Sequence, residues 1–409
     1  MIKSFEKYIL SYTPRLVKGP WPTILEMLDI SVEEHPDKEA FFAFQKDQRI
    51  SWTYRELNNK IKTVGSALIE AGVKKSDRTV INGKNSMEWG LAYLSVLYAG
   101  AVTVPIDNLL DKDHVQNLAR FSGAVGLLCD SDVLSKLDQD DSWFNNLLIK
   151  LSLTKSQNFT FINEVQPKSI LPRVEKKCTD QSSLLFTIWT TGNEKAVPLT
   201  EENLTSNVYQ AADKKNLDVT HKDILMAVLP LHHCFCCTAV FLETIMHGAS
   251  VLFTPSMAPS KLIHDMREGK ITVFMGIPLL YNKVMANVMK KAKEKGALAY
   301  GGLNFLMGLN GFFRKVFQAN PGPKRFDGIL DQIGMKHVRI CISGAGPLSP
   351  KVVVQYRNLG VNFVQGYGMT ETSPLLTLNP LGKVKPKSVG KVLEEIDMKI
   401  LDPDLLGIW

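Results

Sequence analysis

Three short stretches carry residue types suited to holding phosphate or a flat ligand. The first is LLFTIWTTGNEKAVPLTEENL, residues 184–204. An apolar run over 184–188 leads into Thr190, Thr191 and Gly192, then Lys195 and a helix start near Thr200. A strand end feeding a helix N-terminus aims backbone N–H groups and the helix dipole at one spot, which favours an anion. The two hydroxyls, the glycine and the lysine charge add to that. The Walker A spacing is absent, and an ordinary β-α turn with a surface lysine reads equally well. Trp189, the bulkiest side chain there is, stands where a phosphate loop wants something small.

The second stretch, CISGAGPLSP at 341–350, is another strand-to-helix junction. Gly344 and Gly346, with Ala345 between them, open it and Pro347 closes it, the two glycines letting backbone approach a flat ligand. The third, VQGYGMTET at 364–372, holds Gln365, then Tyr367 between Gly366 and Gly368, then Met369, Thr370 and Glu371. A ring flanked by glycines can lie over a planar base. A hydroxyl and a carboxylate next to phosphate suit Mg²⁺, which takes hard oxygen donors. Taken singly, each stretch is also compatible with a plain Gly/Thr-rich turn.

A fourth stretch, LPLHHCFCC at 229–237, suggests a metal site at first sight. Adjacent histidines and adjacent cysteines point in different directions, and no second ligand cluster lies near in sequence. The cysteines read instead as small apolar core residues.

The elements that must position these stretches are short β-branched strands alternating with periodic helical segments. RTVIN (78–82), AVTVP (101–105), AVGLLC (124–129), DILMAVLP (223–230), ITVFMG (271–276) and HVRICIS (337–343) are such strands. The alternation predicts α/β architecture: two packed, mostly parallel sheets flanked by helices, with a smaller β-rich part. The expected division is a first α/β subdomain over 1–180, a second over 181–380 carrying the three stretches, and the start of a β-rich part over 381–409. Residues 131–182 are polar and irregular and read as a joint. Residues 289–330 read as a helical insertion broken at Pro321, Gly322 and Pro323.

The 409 residues, 45% of them hydrophobic, suffice for a large core. The net charge of +7 is mild and gives no reason to expect a nucleic-acid partner. The clusters Lys290, Lys291, Lys293, Lys295 and Lys383, Lys385, Lys387, Lys391 read as solvated surface, or as attraction to anionic lipid or a phosphate-bearing substrate. The six cysteines lack regular spacing and the N-terminus is too charged for a signal peptide, so a cytoplasmic protein is expected. The longest uncharged run, 90–106, contains Gly100 and Pro105 and reads as a buried helix feeding a strand. Peripheral membrane contact and a homodimer stay open.

Taken together, the stretches resemble the large N-terminal domain of the adenylate-forming superfamily, which includes acyl-CoA synthetases and luciferases. Its phosphate loop, YTSGTTGxPKGVxLTHxNL, is similar to residues 186–204 through Thr187, Thr190, Thr191, Gly192, Lys195, Val197, Leu199, Thr200, Asn203 and Leu204. SGAGPL resembles that family's SGGAPL, QGYGMTETSP its YGxTE motif, and LPLHHCF its LPLFHxFG stretch. The QGYGMTETSP form and the 289–330 insertion look most like bacterial long-chain fatty acid–CoA ligases.

The resemblance implies ATP-dependent activation of a fatty acid to acyl-AMP, then transfer to CoA. It implies that Lys195 with Thr190, Thr191 and Gly192 holds the β- and γ-phosphates. Tyr367 would stack near adenine beside residues 344–347, with 365–369 completing the nucleotide contacts. Thr370 would touch the α-phosphate, Glu371 would hold Mg²⁺, and His233 would border the acyl carboxylate. Two departures stand out. Ile188-Trp189 replaces Ser-Gly, with Glu194 for Pro and Ala196 for Gly. The family's ribose-binding aspartate and lid domain would follow a strand near Glu395, and the sequence ends at Trp409. The 409 residues alone are therefore expected to be weakly active or inactive, and a degenerate nucleotide- or acyl-binding paralogue is the alternative.

Overall fold

The computed structural model describes residues 20–188, 194–212 and 216–399. In chain order the first half gives α1 (Ile24–Glu34), β1 (Glu39–Gln45), β2 (Gln48–Thr53), α2 (Tyr54–Glu70), β3 (Arg78–Asn82), α3 (Met87–Tyr98), β4 (Val102–Pro105), α4 (Lys112–Phe121), β5 (Ala124–Cys129) and β6 (Ile149–Ser152). Then follow β7 (Gln181–Ile188), β8 (Glu194–Thr200), α5 (Glu201–Ala212), β9 (Ile224–Ala227), β10 (Ser250–Phe253), α6 (Pro259–Glu268), β11 (Val273–Gly276), α7 (Pro278–Glu294) and α8 (Ala297–Val316). The last are β12 (Ile340–Ser343), α9 (Pro350–Asn358), β13 (Asn362–Gly368), β14 (Leu375–Leu378) and β15 (Lys391–Val392).

Local chemistry sets many of these boundaries. Thr23 with Glu26, and Thr53 with Glu56, form capping boxes that start α1 and α2. Pro259, Pro278 and Pro350 open α6, α7 and α9, where the missing N–H costs nothing. α3 is buried along nearly its whole length, as the uncharged run predicts. Its Trp89 stacks on Tyr93, and both rings meet Phe241 edge-on. Trp89→Ala would cost about 3–5 kcal/mol in so close-packed a core.

Two mostly parallel sheets result, flanked by helices. One has six strands in the order β6-β5-β3-β4-β7-β8, the other nine in the order β15-β14-β13-β12-β11-β9-β10-β1-β2. One hydrophobic core, including Phe41 of β1, Trp89 of α3 and Leu185 of β7, joins them, and a second, with Val80, Val104 and Leu127, packs on the six-stranded sheet. β1 and β2 belong to the nine-stranded sheet, while β7 and β8 complete the six-stranded one. The sheets therefore exchange chain across residue 180, and a cut there does not separate them. Residues 131–182 are more than a joint, because β6 pairs in parallel with β5 at the sheet edge. The helical reading of 289–330 agrees with the end of α7 and with α8.

Candidate functional site

β9 runs on to β10 in one direction across the nine-stranded sheet, whereas β11, β12 and β13 follow in the other. The order reverses between β9 and β11. In open parallel sheets a crevice forms outside the carboxyl ends of strands at such a switch point. A cavity of about 380 Å³ lies there. Leu229 and Pro230 after β9, Ile277 after β11 and Gly344 after β12 line it, together with Gly366 and Gly368 at the end of β13. Sequence-predicted residues gathered here are His233, Gly344, Ala345, Gly366, Tyr367, Gly368, Met369 and Thr370. Gly346, Pro347, Gln365 and Glu371 are outside its lining. Gln365 is buried, and its side-chain amide donates to the Pro386 carbonyl instead of facing a ligand.

Close backbone approach shapes the walls. A Cβ on Gly368 would lie 1.7 Å from the Pro374 carbonyl oxygen, so nothing larger than glycine fits beside Tyr367. That leaves the Tyr367 ring 42% exposed, on the cavity. A Cβ on Gly344 would meet the Phe235 ring at 2.7 Å. Ala345 has φ +59°, where the related SGGAPL pattern carries glycine, so the loop holds about 1–2 kcal/mol of local strain.

His233 precedes a short helical turn, Cys234–Cys236, and lines the cavity. Burial holds its imidazole below the usual range, against the opposing charge of Asp107. The His232 ring packs beside it with centroids 4.2 Å apart. Burial and then the His233 ring push His232 down to about 4. Both rings are therefore neutral at pH 7. No cluster of three metal-binding side chains occurs among the described residues. All six cysteines are free and buried, as core residues should be.

The strand–turn–helix reading of 184–204 requires correction. β7 and β8 pair antiparallel, Thr187 opposite Lys195 and Ile188 opposite Glu194. α5 begins at Glu201, as read, but the strand β8 stands between 189–193 and that helix start. Trp189, Thr190, Thr191 and Gly192 lie outside the described residues. Lys195 is exposed on β8, and β8 packs beside the Thr370–Thr372 turn.

Glu371 is exposed on that same turn. Glu371 follows directly on Thr370, which lines the cavity. One carboxylate with a neighbouring hydroxyl fits Mg²⁺, which usually takes one or two protein carboxylates and fills its shell with water and substrate phosphates.

A second cavity, about 550 Å³, shares Met257 and Ile277 with the first. Apolar side chains of α6, α7 and α8 line it, among them Leu262, Leu280, Val284 and Leu303, and the exposed Lys283 and Lys291 stand at its mouth. Sequence reasoning missed this cavity because its apolar lining, spread singly over 257–333, forms no motif. It also missed Asn207, whose side chain holds Leu375 beside the Tyr367 strand. A polar residue on an otherwise buried helix face was the available signal.

Residues 28–407 match the family model described as AMP-binding enzyme. The chain belongs to the AMP-binding enzyme family. It is 26% identical over 398 residues to 4-coumarate--CoA ligase 2 of Oryza sativa subsp. japonica, covering 91% of this chain and 62% of that protein. It is 23% identical over 440 residues to the long-chain-fatty-acid--CoA ligase of Haemophilus influenzae, covering 98% and 70% respectively. The inhibitor-bound N-terminal domain of FACL13 from Mycobacterium tuberculosis shares the fold, with a TM-score of 0.71 at 21% identity, over 91% of this chain and 82% of that one. The chain spans 58–65% of the length of five 4-coumarate ligases that it matches.

Proposed function

We propose that this AMP-binding chain is the nucleotide- and acyl-binding part of an acid–thiol ligase acting on a fatty, long-chain acid. ATP and the carboxylate form acyl-AMP and pyrophosphate; the CoA thiol then displaces AMP to give the thioester. The observation that carries this reading is the pair of adjoining cavities. One lies at strand ends with polar and backbone groups, and the other is an apolar extension sharing Met257 and Ile277 with it. An adenylate in the first would direct a long alkyl chain into the second.

In this reading Tyr367 stacks on adenine against the 344–347 backbone. The Thr370 hydroxyl donates to the α-phosphate. His233, held neutral by burial, borders the carboxylate without adding a competing charge. Lys195 and the 190–192 residues steady the outer phosphates. Glu371 and Thr370 would hold Mg²⁺. When bound, that ion neutralises phosphate charge as pyrophosphate leaves. Positioning and charge compensation are the protein's main contributions. The six free, buried thiols support a reducing, cytoplasmic setting.

A nucleotide- and acyl-binding protein without turnover is the second reading, favoured by Ile188-Trp189 in place of Ser-Gly. Acid-dependent ATP–pyrophosphate exchange, run with palmitate and with 4-coumarate, tests both. Exchange with palmitate supports the ligase reading. Faster exchange with 4-coumarate overturns the long-chain assignment. Binding of a non-hydrolysable acyl-AMP mimic without any exchange establishes the second reading.

A further inference from the structure

α8 presents its apolar residues the wrong way round for a helix facing water. Leu303, Met307 and Asn310 are buried against the body of the protein. Leu298, Phe305, Phe312 and Val316 are exposed, at 94%, 69%, 54% and 53%. At about 100° per residue the two sets fall on opposite faces of the helix. Residues 297–313 carry no charge, so the outward face has none of the lysines and glutamates that ordinarily solvate a surface helix. A methyl group added at Gly301, Gly302 or Gly308 would meet nothing within 4 Å.

The surroundings are basic. Residues 278–326 contain nine Lys and Arg and a single acid, Glu294. Four of the lysines, Lys290, Lys291, Lys293 and Lys295, close the end of α7 next to the start of α8 and are exposed. Lys290 faces Glu294 at 3.9 Å, and Lys293 sits 5.1 Å from the Tyr300 ring centroid. No helix among the described residues is long and apolar enough to cross a membrane.

We propose that the outward face of α8, with the lysine-rich end of α7, docks on an anionic lipid bilayer. Aromatic and aliphatic side chains would enter the headgroup–acyl boundary while the lysines neutralise lipid phosphates. The excess of positive charge, carried by the exposed Lys290, Lys291, Lys293 and Lys295 beside an uncharged apolar strip, favours lipid over a protein partner. The docked face lies beside the mouth of the apolar cavity, because Lys291, Lys295, Ala299 and Leu303 line it. The proposal does not depend on the reaction proposed above.

The test is cosedimentation of the full chain with vesicles of phosphatidylcholine alone and of phosphatidylcholine mixed with phosphatidylglycerol. Binding to the mixed vesicles, weakened by added salt, is expected. Phe305→Ser with Phe312→Ser, and separately Lys290→Glu with Lys293→Glu, should each reduce it by about tenfold or more. Thermal melting of both variants should stay close to that of the wild type, since all four side chains are exposed. No binding to either vesicle, or binding untouched by both pairs, overturns the proposal. A dimer in sedimentation equilibrium that the phenylalanine pair dissolves would assign the face to a second copy and overturn it too.

Discussion

Asn207 grips Leu375 at both backbone groups. Its Nδ2 donates to the Leu375 carbonyl at 2.7 Å, and its Oδ1 accepts the Leu375 N–H at 3.0 Å. The amide stands in for a neighbouring strand. Asn207 lies on α5, which follows the β7–β8 hairpin, and Leu375 opens β14, which pairs with Tyr367 on β13. Two motif-bearing segments from different sheets are thereby fixed to each other.

Asn207→Ala should cost about 2–4 kcal/mol, because it strands two backbone groups with little access to water. Urea unfolding measures the loss. Asn207→Asp keeps the acceptor but turns a buried carboxylate oxygen on the Leu375 carbonyl, so it should cost at least as much. A variant as stable as wild type would mean that water replaces the amide.

Much of the fold was legible because buried β-branched runs and amphipathic helices follow different periods. The β7–β8 hairpin was not. Pro198 lowers the strand signal of β8, yet β8 is a sheet edge, where proline is tolerated. The alternation left in the sequence, with Val197 and Leu199 buried around exposed Pro198, is short. The crossing of β1 and β2 to the other sheet was invisible, since periodicity says nothing about partners. The cavity residues of 344–345 and 366–370 were legible as motifs. Gln365 was not separable from them, because its orientation is set by the 386 loop.

Acid should weaken the fold through His232. The unfolded chain takes that proton near 6.5, while the folded protein, with the pKa pushed down by burial first and His233 second, resists until about 4. Stability is then fully present above pH 6.5 and is lost as pH falls towards 4, by about 3 kcal/mol. Unfolding measured across that window should show a flatter pH slope for His232→Asn. Identical slopes would remove His232 from the account.

Glu371→Gln should weaken ATP binding when Mg²⁺ is present and leave it nearly unchanged in EDTA. A carboxylate that acts through the ion must show that dependence. Calorimetric titration under both conditions decides it, and equal losses would assign Glu371 a purely structural part.

Trp189→Gly together with Ile188→Ser should tighten ATP binding by about tenfold or more, roughly 1.4 kcal/mol. The expectation comes from the bulk that the pair introduces where a phosphate loop carries Ser-Gly. An unchanged dissociation constant would place the indole away from the phosphates.

The strand-end cavity is the proposed adenylate site. Calorimetric titration of a non-hydrolysable acyl-AMP mimic into the wild type and into Tyr367→Ala tests it most directly. Tyr367 is 42% exposed, so truncation should spare the fold while removing the adenine stack. The prediction is saturable binding by the wild type, weakened about tenfold or more in the variant, in line with the 1–3 kcal/mol of a base–aromatic stack. Equal affinity in the two proteins, or no binding by the wild type, would contradict it.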